Sequence, residues 1–179
     1  MASMDTLTVV SQNEFRDAMS QVCAAVNIIT TAGPAGRGGF TATAMCSLSD
    51  TPPSLLVCMR RASLQTELFM QNRHFCVNVL AGSQTELAGH FANGQMEMSR
   101  RYAAGEWHEL ITGSPALNNA LVNFDCELDK IYETASHNII VGRVVAIEKY
   151  SENDALTYFD RAYHNVNKNI TQRPENLRR

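Results

Sequence analysis

Residues 39–63 read GFTATAMCSLSDTPPSLLVCMRRAS. Thr41, Thr43, Ser47 and Ser49 alternate with Ala42, Ala44, Cys46 and Leu48, the period of an extended strand whose successive side chains leave on opposite faces. Bulky groups are absent from 41–44, so the strand offers hydroxyls and small residues where a ligand can lie. Asp50, Thr51, Pro52 and Pro53 then break the strand, and residues 54–59 (SLLVCM) form a short apolar run of the buried-strand type.

Working outward, Ser11 and Glu14 have the spacing of a capping box, with Val10 and Phe15 placed as its hydrophobic staple. Phe15, Met19 and Val22 recur at helical intervals, which predicts a helix over about 12–24. Residues 26–31 (VNIITT) are strand-like, and the glycine-rich 33–39 turns them into an antiparallel pair with the hydroxyl-rich strand. Downstream, Ser63 is placed to cap a helix over 64–72, 74–80 (HFCVNVL) reads as a strand, and Ser83 with Glu86 repeats the capping-box spacing before Leu87, His90 and Phe91. Residues 95–109 read as a looser connection. Val122, Phe124, Cys126 and Leu128 alternate, 138–147 (NIIVGRVVAI) is strongly apolar, and the two make a second antiparallel pair, with a last strand within 156–166.

Six or so strands with only short helices, not in strand-helix-strand alternation, predict a mainly β small barrel and not a doubly wound sheet. Gly33, Gly36, Gly38 and Gly39 fit neither GxGxxG nor the phosphate-binding GxxxxGK loop, so any nucleotide must be held in another way. One domain over 10–166 is expected, with flexible termini at 1–9 and 167–179.

A net charge of −3 leaves no basic excess for binding nucleic acid or an anionic membrane. Cys23, Cys46, Cys58, Cys76 and Cys126 are odd in number, lie in apolar surroundings and form no CxxC pair, which reads as reduced thiols in a cytoplasmic protein. No stretch approaches the roughly 20 apolar residues that cross a bilayer. HExxH, GxSxG and clustered Cys/His spacings are absent, so metal-dependent hydrolysis and serine-nucleophile chemistry have no support and no metal is expected.

The segments FRDAM (15–19), AAVNIITT (24–31), TATAMCSLSDTPPSLLVC (41–58), CVNVL (76–80), HFA (90–92), SHNIIVG (136–142) and YFDRAYH (158–164) keep the order and spacing of a known family. In them the chain resembles the short-chain flavin reductases of two-component monooxygenases, nearest to the reductase component of 4-hydroxyphenylacetate 3-monooxygenases. The resemblance implies a split β-barrel of the FMN-binding type and a homodimer with the flavin near the subunit interface. It also implies NAD(P)H-dependent reduction of free FMN or FAD, with delivery of the reduced flavin to a separate monooxygenase. NADH is weakly preferred over NADPH, since no basic cluster is placed for a 2′-phosphate. The competing reading is a flavin-binding electron carrier on the same barrel that keeps its FMN.

By the same resemblance the flavin would be met by Thr41, Ala42, Thr43, Ala44, Cys46, Ser47, Arg60, Ser63, Phe91, Arg101, Arg161 and Tyr163, and His137 would stand near the nicotinamide as the catalytic residue. Each has a plainer alternative: Ser63 as a helix cap, Phe91 as core, Arg101 as a surface arginine, His137 as a structural histidine. Three departures stand out. Arg60 replaces a smaller asparagine-like residue, Ser136 stands where relatives often carry Asp, and Asp160 and Ala162 stand where they commonly carry basic residues.

Overall fold

The computed structural model describes residues 9–150 and 154–168. The expected flexible ends fall largely on 1–8 and 169–179, outside the described residues. The capping box at Ser11 forms: the Ser11 hydroxyl accepts from Glu14 N at 3.2 Å and the Glu14 carboxylate accepts from Ser11 N at 2.8 Å. It starts helix α1 (Gln12–Ser20), which ends earlier than its periodicity predicts because the chain turns into the short strand β1 (Ala24–Ala25).

Strands β2 (Asn27–Thr31), β3 (Gly38–Ala42), β4 (Met45–Asp50) and β5 (Pro53–Arg60) follow, then α2 (Thr66–Asn72) and β6 (His74–Val79). A 3-10 turn at Gly82–Gln84 leads into α3 (Thr85–Ala92), followed by α4 (Met98–Ala103), β7 (Trp107–Glu109), β8 (Pro115–Leu117), β9 (Val122–Glu133), β10 (His137–Lys149), β11 (Ala155–Phe159) and β12 (Ala162–Val166). Seven strands form one antiparallel sheet in the order β3-β2-β6-β9-β10-β5-β4; β1-β11-β12 and β7-β8 form two small sheets.

The order of the large sheet dictates its shape. Strands β3 and β4 are its two edges, yet only Thr43 and Ala44 separate them in the chain. Laid flat, edges six strand spacings apart would stand roughly 29 Å from one another, and a link of two residues spans at most about 11 Å. The sheet must roll until its edges meet. At the meeting point Ala44 O accepts from Cys58 N at 3.0 Å, and Met45 N donates to Thr43 O at 3.0 Å. No ladder joins β3 to β4 or to β5 among the described residues, so the rolled sheet keeps an unpaired seam, which makes the barrel split.

Inside the roll lie Ile29, Leu55, Val57, Met59, Phe75, Val77, Leu128 and Ile140. A second core, with Val26, Ile28, Leu80, Leu87, Phe91, Tyr102 and Leu117, packs α3, α4 and β8 against the outer face. Strand β2 is buried along its whole length, which is why its threonines turn their hydroxyls onto backbone: Thr31 Oγ1 donates to His74 O at 2.8 Å.

Several expectations are corrected in detail. The run over 41–49 is two strands bent at Thr43 and Ala44, not one. The Ser63 hydroxyl accepts from Gln65 N at 3.3 Å in a turn before α2 and does not cap the helix, which begins at Thr66. Ser83 and Glu86 form no capping box; the Gln84 side chain accepts from Ala81 N at 2.9 Å instead. Residues 95–109 contain α4 and β7. The last segment is a hairpin, β11 with β12, turning through Asp160 and Arg161 at positive φ.

Gly39 carries the tightest demand near the seam. A Cβ there would sit 2.6 Å from Phe91 Cε1 and 3.2 Å from Ile29 O. Gly39→Ala is therefore expected to lower stability by about 1–3 kcal/mol through overpacking, read as a lower urea midpoint; an unchanged midpoint would show that Phe91 is free to move aside.

Candidate functional site

A cavity of about 600 Å³ opens at the seam of the barrel, within the range of small-ligand pockets. One wall is the link between the sheet edges, residues 40–44; the facing wall is the end of β5, with Cys58, Met59 and Arg60. Ala62, Ser63, Leu64 and Gln65 form a lip, the end of α3 contributes Phe91, Ala92, Gly94 and Gln95, and Arg101 and His137 complete the lining.

The link wall is fixed by bonds to its backbone. Thr41 Oγ1 donates to Ala88 O at 2.7 Å, which fastens α3 to β3 and commits that hydroxyl hydrogen. Gly39 N donates to Gln65 Oε1 at 2.6 Å, and Tyr102 Oη donates to Gly38 O at 2.7 Å. Ala42 is buried toward the barrel core, while Thr43 and Ala44 are exposed at the bend. The bend thus presents backbone, one hydroxyl and one methyl to the cavity.

Arg101 is not the surface arginine that its polar neighbours suggest. It is 4% exposed, with Nε donating to Met96 O at 2.9 Å and Nη1 to Gly39 O at 3.3 Å. Burial lowers its pKa, and Glu97 acts in the opposite sense. No carboxylate lies within ion-pair distance of it among the described residues, so a desolvated cation lines the cavity without a direct ion pair, an arrangement that favours an anionic ligand group. Tyr102, whose hydroxyl pKa is raised by burial, packs edge-on to Phe91 at 5.2 Å and to Trp107 at 4.9 Å, with Arg37 over its ring at 4.7 Å. Helix α4 is therefore a buried clamp on β3.

His137 is the first residue of β10 and lies opposite Arg60 in register. Its Nδ1 meets Ser136 Oγ at 2.9 Å, which leaves Nε2 as the ring nitrogen without a partner among the described residues. The serine thus supplies the orienting contact that an aspartate would otherwise make, without the charge.

Of the residues expected at the site, Thr41, Ala42, Thr43, Ala44, Arg60, Ser63, Phe91, Arg101 and His137 line this one cavity. Cys46 and Ser47 lie further along the edge strand β4, exposed and outside the lining. Arg161 and Tyr163 lie elsewhere, because their hairpin packs beside α1: Arg161 pairs with Asp17, and the Tyr163 ring meets Tyr158 at 5.6 Å. Reading the sequence missed Gln65, Gly94 and Gln95, polar loop residues with no local signal; Phe40, Cys58 and Met59 read only as strand.

A family model described as "Flavin reductase like domain" matches residues 19–167. A protein of Pantoea ananatis named FMN reductase (NADH) RutF is 47% identical over 161 residues, covering 90% of this chain and 84% of that protein. A solved flavin reductase structure from Haemophilus somnus superposes with a TM-score of 0.85 at 41% identity, over 88% of this chain and 100% of that one. The flavin reductase component of a bacterial two-component tryptophan halogenase superposes with a TM-score of 0.81 at 27% identity, over 87% and 98%.

Proposed function

The chain belongs to the flavin reductase family and is an NADH-dependent flavin oxidoreductase, and from that premise we propose that it binds free FMN at the barrel seam, reduces it, and releases it to a separate flavin-dependent monooxygenase. The observation that carries the placement is Arg101: a buried guanidinium, pinned on two nitrogens and without an ion-paired carboxylate, at a cavity whose link wall is made of small residues. A flat ring with an anionic tail matches that arrangement, the ring along Thr41–Ala44 and the phosphate toward Arg101.

The two rings supply the chemistry, hydride passing from nicotinamide C4 to flavin N5. The protein's part is to hold them in contact and keep water out. Backbone groups at Thr43 and Ala44 meet the flavin edge, and Ser63 and Arg60 stand at the lip. His137, with Nδ1 held by Ser136, directs Nε2 at the nicotinamide carboxamide. Cys46, Ser47, Arg161 and Tyr163 have no part in the site within one subunit.

We also propose a homodimer. In α1 every residue but Ser20 is exposed, and Phe15, Met19 and Val22 show 60%, 49% and 52% of their surface. An amphipathic helix with its apolar stripe in water is incomplete, and a second copy is the occupant at hand. No helix of the described residues is long and apolar enough to cross a membrane, and all five cysteines are unpaired; both fit the cytoplasm proposed for it.

NADH oxidation followed by its absorbance, with FMN, FAD or riboflavin added, tests the activity. Turnover is expected only with added flavin, bound with micromolar affinity, about −8 kcal/mol; a stoichiometric flavin that survives dialysis without turnover would instead indicate a carrier. His137→Ala is expected to cost about 1–3 kcal/mol in kcat/KM for NADH with flavin affinity unchanged, and Thr43→Val to weaken flavin more than NADH. Swapped effects would exchange the two ligands. For the assembly, light scattering should give twice the 19.8 kDa chain mass, falling toward one chain in Phe15→Asp; a wild-type monomer of full activity would remove the dimer.

A further inference from the structure

We propose that Arg61 is a positioning residue for hydride transfer, latching the turn between β9 and β10 so that His137 stays on the cavity wall; this rests on the reading that His137 meets the nicotinamide. The turn is short and exposed, consisting of Thr134, Ala135 and Ser136. Within it, Thr134 N and Thr134 Oγ1 both donate to His137 O at 2.8 Å, and His137 N donates to Thr134 Oγ1 at 3.3 Å. These bonds close the turn on itself but tie it to nothing else. The ladder of β10 with β5 has its last pair at His137 and Arg60, so His137 stands where a hairpin frays.

Arg61 directly follows β5, and it makes two contacts with the turn and a third with the end of β9 beside it. Its backbone N donates to Ser136 O at 3.0 Å, Nη1 donates to Thr134 O at 3.0 Å, and Nη2 pairs with Glu133 Oε2 at 3.1 Å. The three contacts fall on 133, 134 and 136, both arms of the turn and the residue that holds His137 Nδ1. Both partners of the ion pair are about half exposed, a setting in which such pairs add little to stability. The latch therefore matters for where the turn sits more than for whether the protein folds. Position is what hydride transfer is sensitive to, since a displacement of about 1 Å can cost about a hundredfold in rate. The guanidinium fork reaches a carboxylate and a carbonyl together, which an ammonium cannot do in the same geometry.

The test is a double-mutant cycle of Arg61→Ala and His137→Ala, reading NADH kinetics at saturating FMN and, separately, FMN affinity by quenching of its fluorescence. Arg61→Ala is expected to lower kcat/KM for NADH about 5–20-fold with FMN affinity unchanged, yet to add less than about twofold in the His137→Ala background. Arg61→Lys, which keeps the charge and one contact, should fall between wild type and Arg61→Ala, and serves alone if the alanine variant does not fold. Independent, multiplying effects would overturn the latch, as would an equal loss of FMN affinity. A normal Arg61→Ala beside an impaired His137→Ala would overturn the latch alone. A His137→Ala enzyme with normal NADH kinetics would overturn the histidine's role and the latch with it.

Discussion

The two-residue link between the edges of the large sheet is the constraint on which the rest of the molecule depends. Because Thr43 and Ala44 must carry the chain from one edge to the other, the sheet cannot lie flat, and because no ladder joins the two edges among the described residues it is not a continuous barrel either. At the seam so produced the ladders run out: Ala44 O still accepts from Cys58 N of β5, but the amides of Thr43 and Ala44 belong to no ladder among the described residues. A sheet interior has no such backbone, since its amides and carbonyls are paired in ladders. On the proposed placement of the flavin, recognition of a flat heterocycle by main-chain groups is a by-product of how the sheet rolls.

A seam alone would be soft. It is stiffened from outside by α3 and α4, which bond to three positions of β3: Tyr102 to Gly38, Arg101 to Gly39 and Ala88 to Thr41. Gln65 adds a bond from the lip. The same clamp delivers the charge, since Arg101 both holds β3 and faces the cavity. On the proposed reading fold and binding share this residue, so its loss would not report on binding alone. On the opposite wall, Arg60 and His137 are consecutive in space though far apart in sequence, and their alignment is set by the last rung of the β5–β10 ladder.

Much of this was legible in the sequence, for identifiable reasons. The alternation in β9 and the apolar run of β10 announce a buried antiparallel pair, and the capping box at Ser11 marks the start of α1 to the residue. The bend at Thr43 was not legible, because no glycine or proline marks it and TATAM reads as unbroken strand; only the pairing of both its flanks reveals it. Helix α4 was missed because MSRRYA shows no apolar stripe: its buried face is made by an arginine and a tyrosine, whose burial comes from bonds to β3 and not from hydropathy. For Arg161 and Tyr163 the local pattern was sound but the hairpin's location was not, since nothing local says that it packs on α1.

The central claim is that flavin occupies the seam, and Cys58 reports on it directly. Its thiol is half-buried on the cavity wall, whereas Cys23 is exposed and outside the lining. Alkylation of each cysteine, resolved by mass spectrometry with and without FMN, measures cover at that wall. With FMN at ten times its dissociation constant, labelling of Cys58 is expected to slow by roughly tenfold while Cys23 is unaffected. Labelling of Cys58 at the same rate in saturating FMN would place the flavin elsewhere and contradict the account.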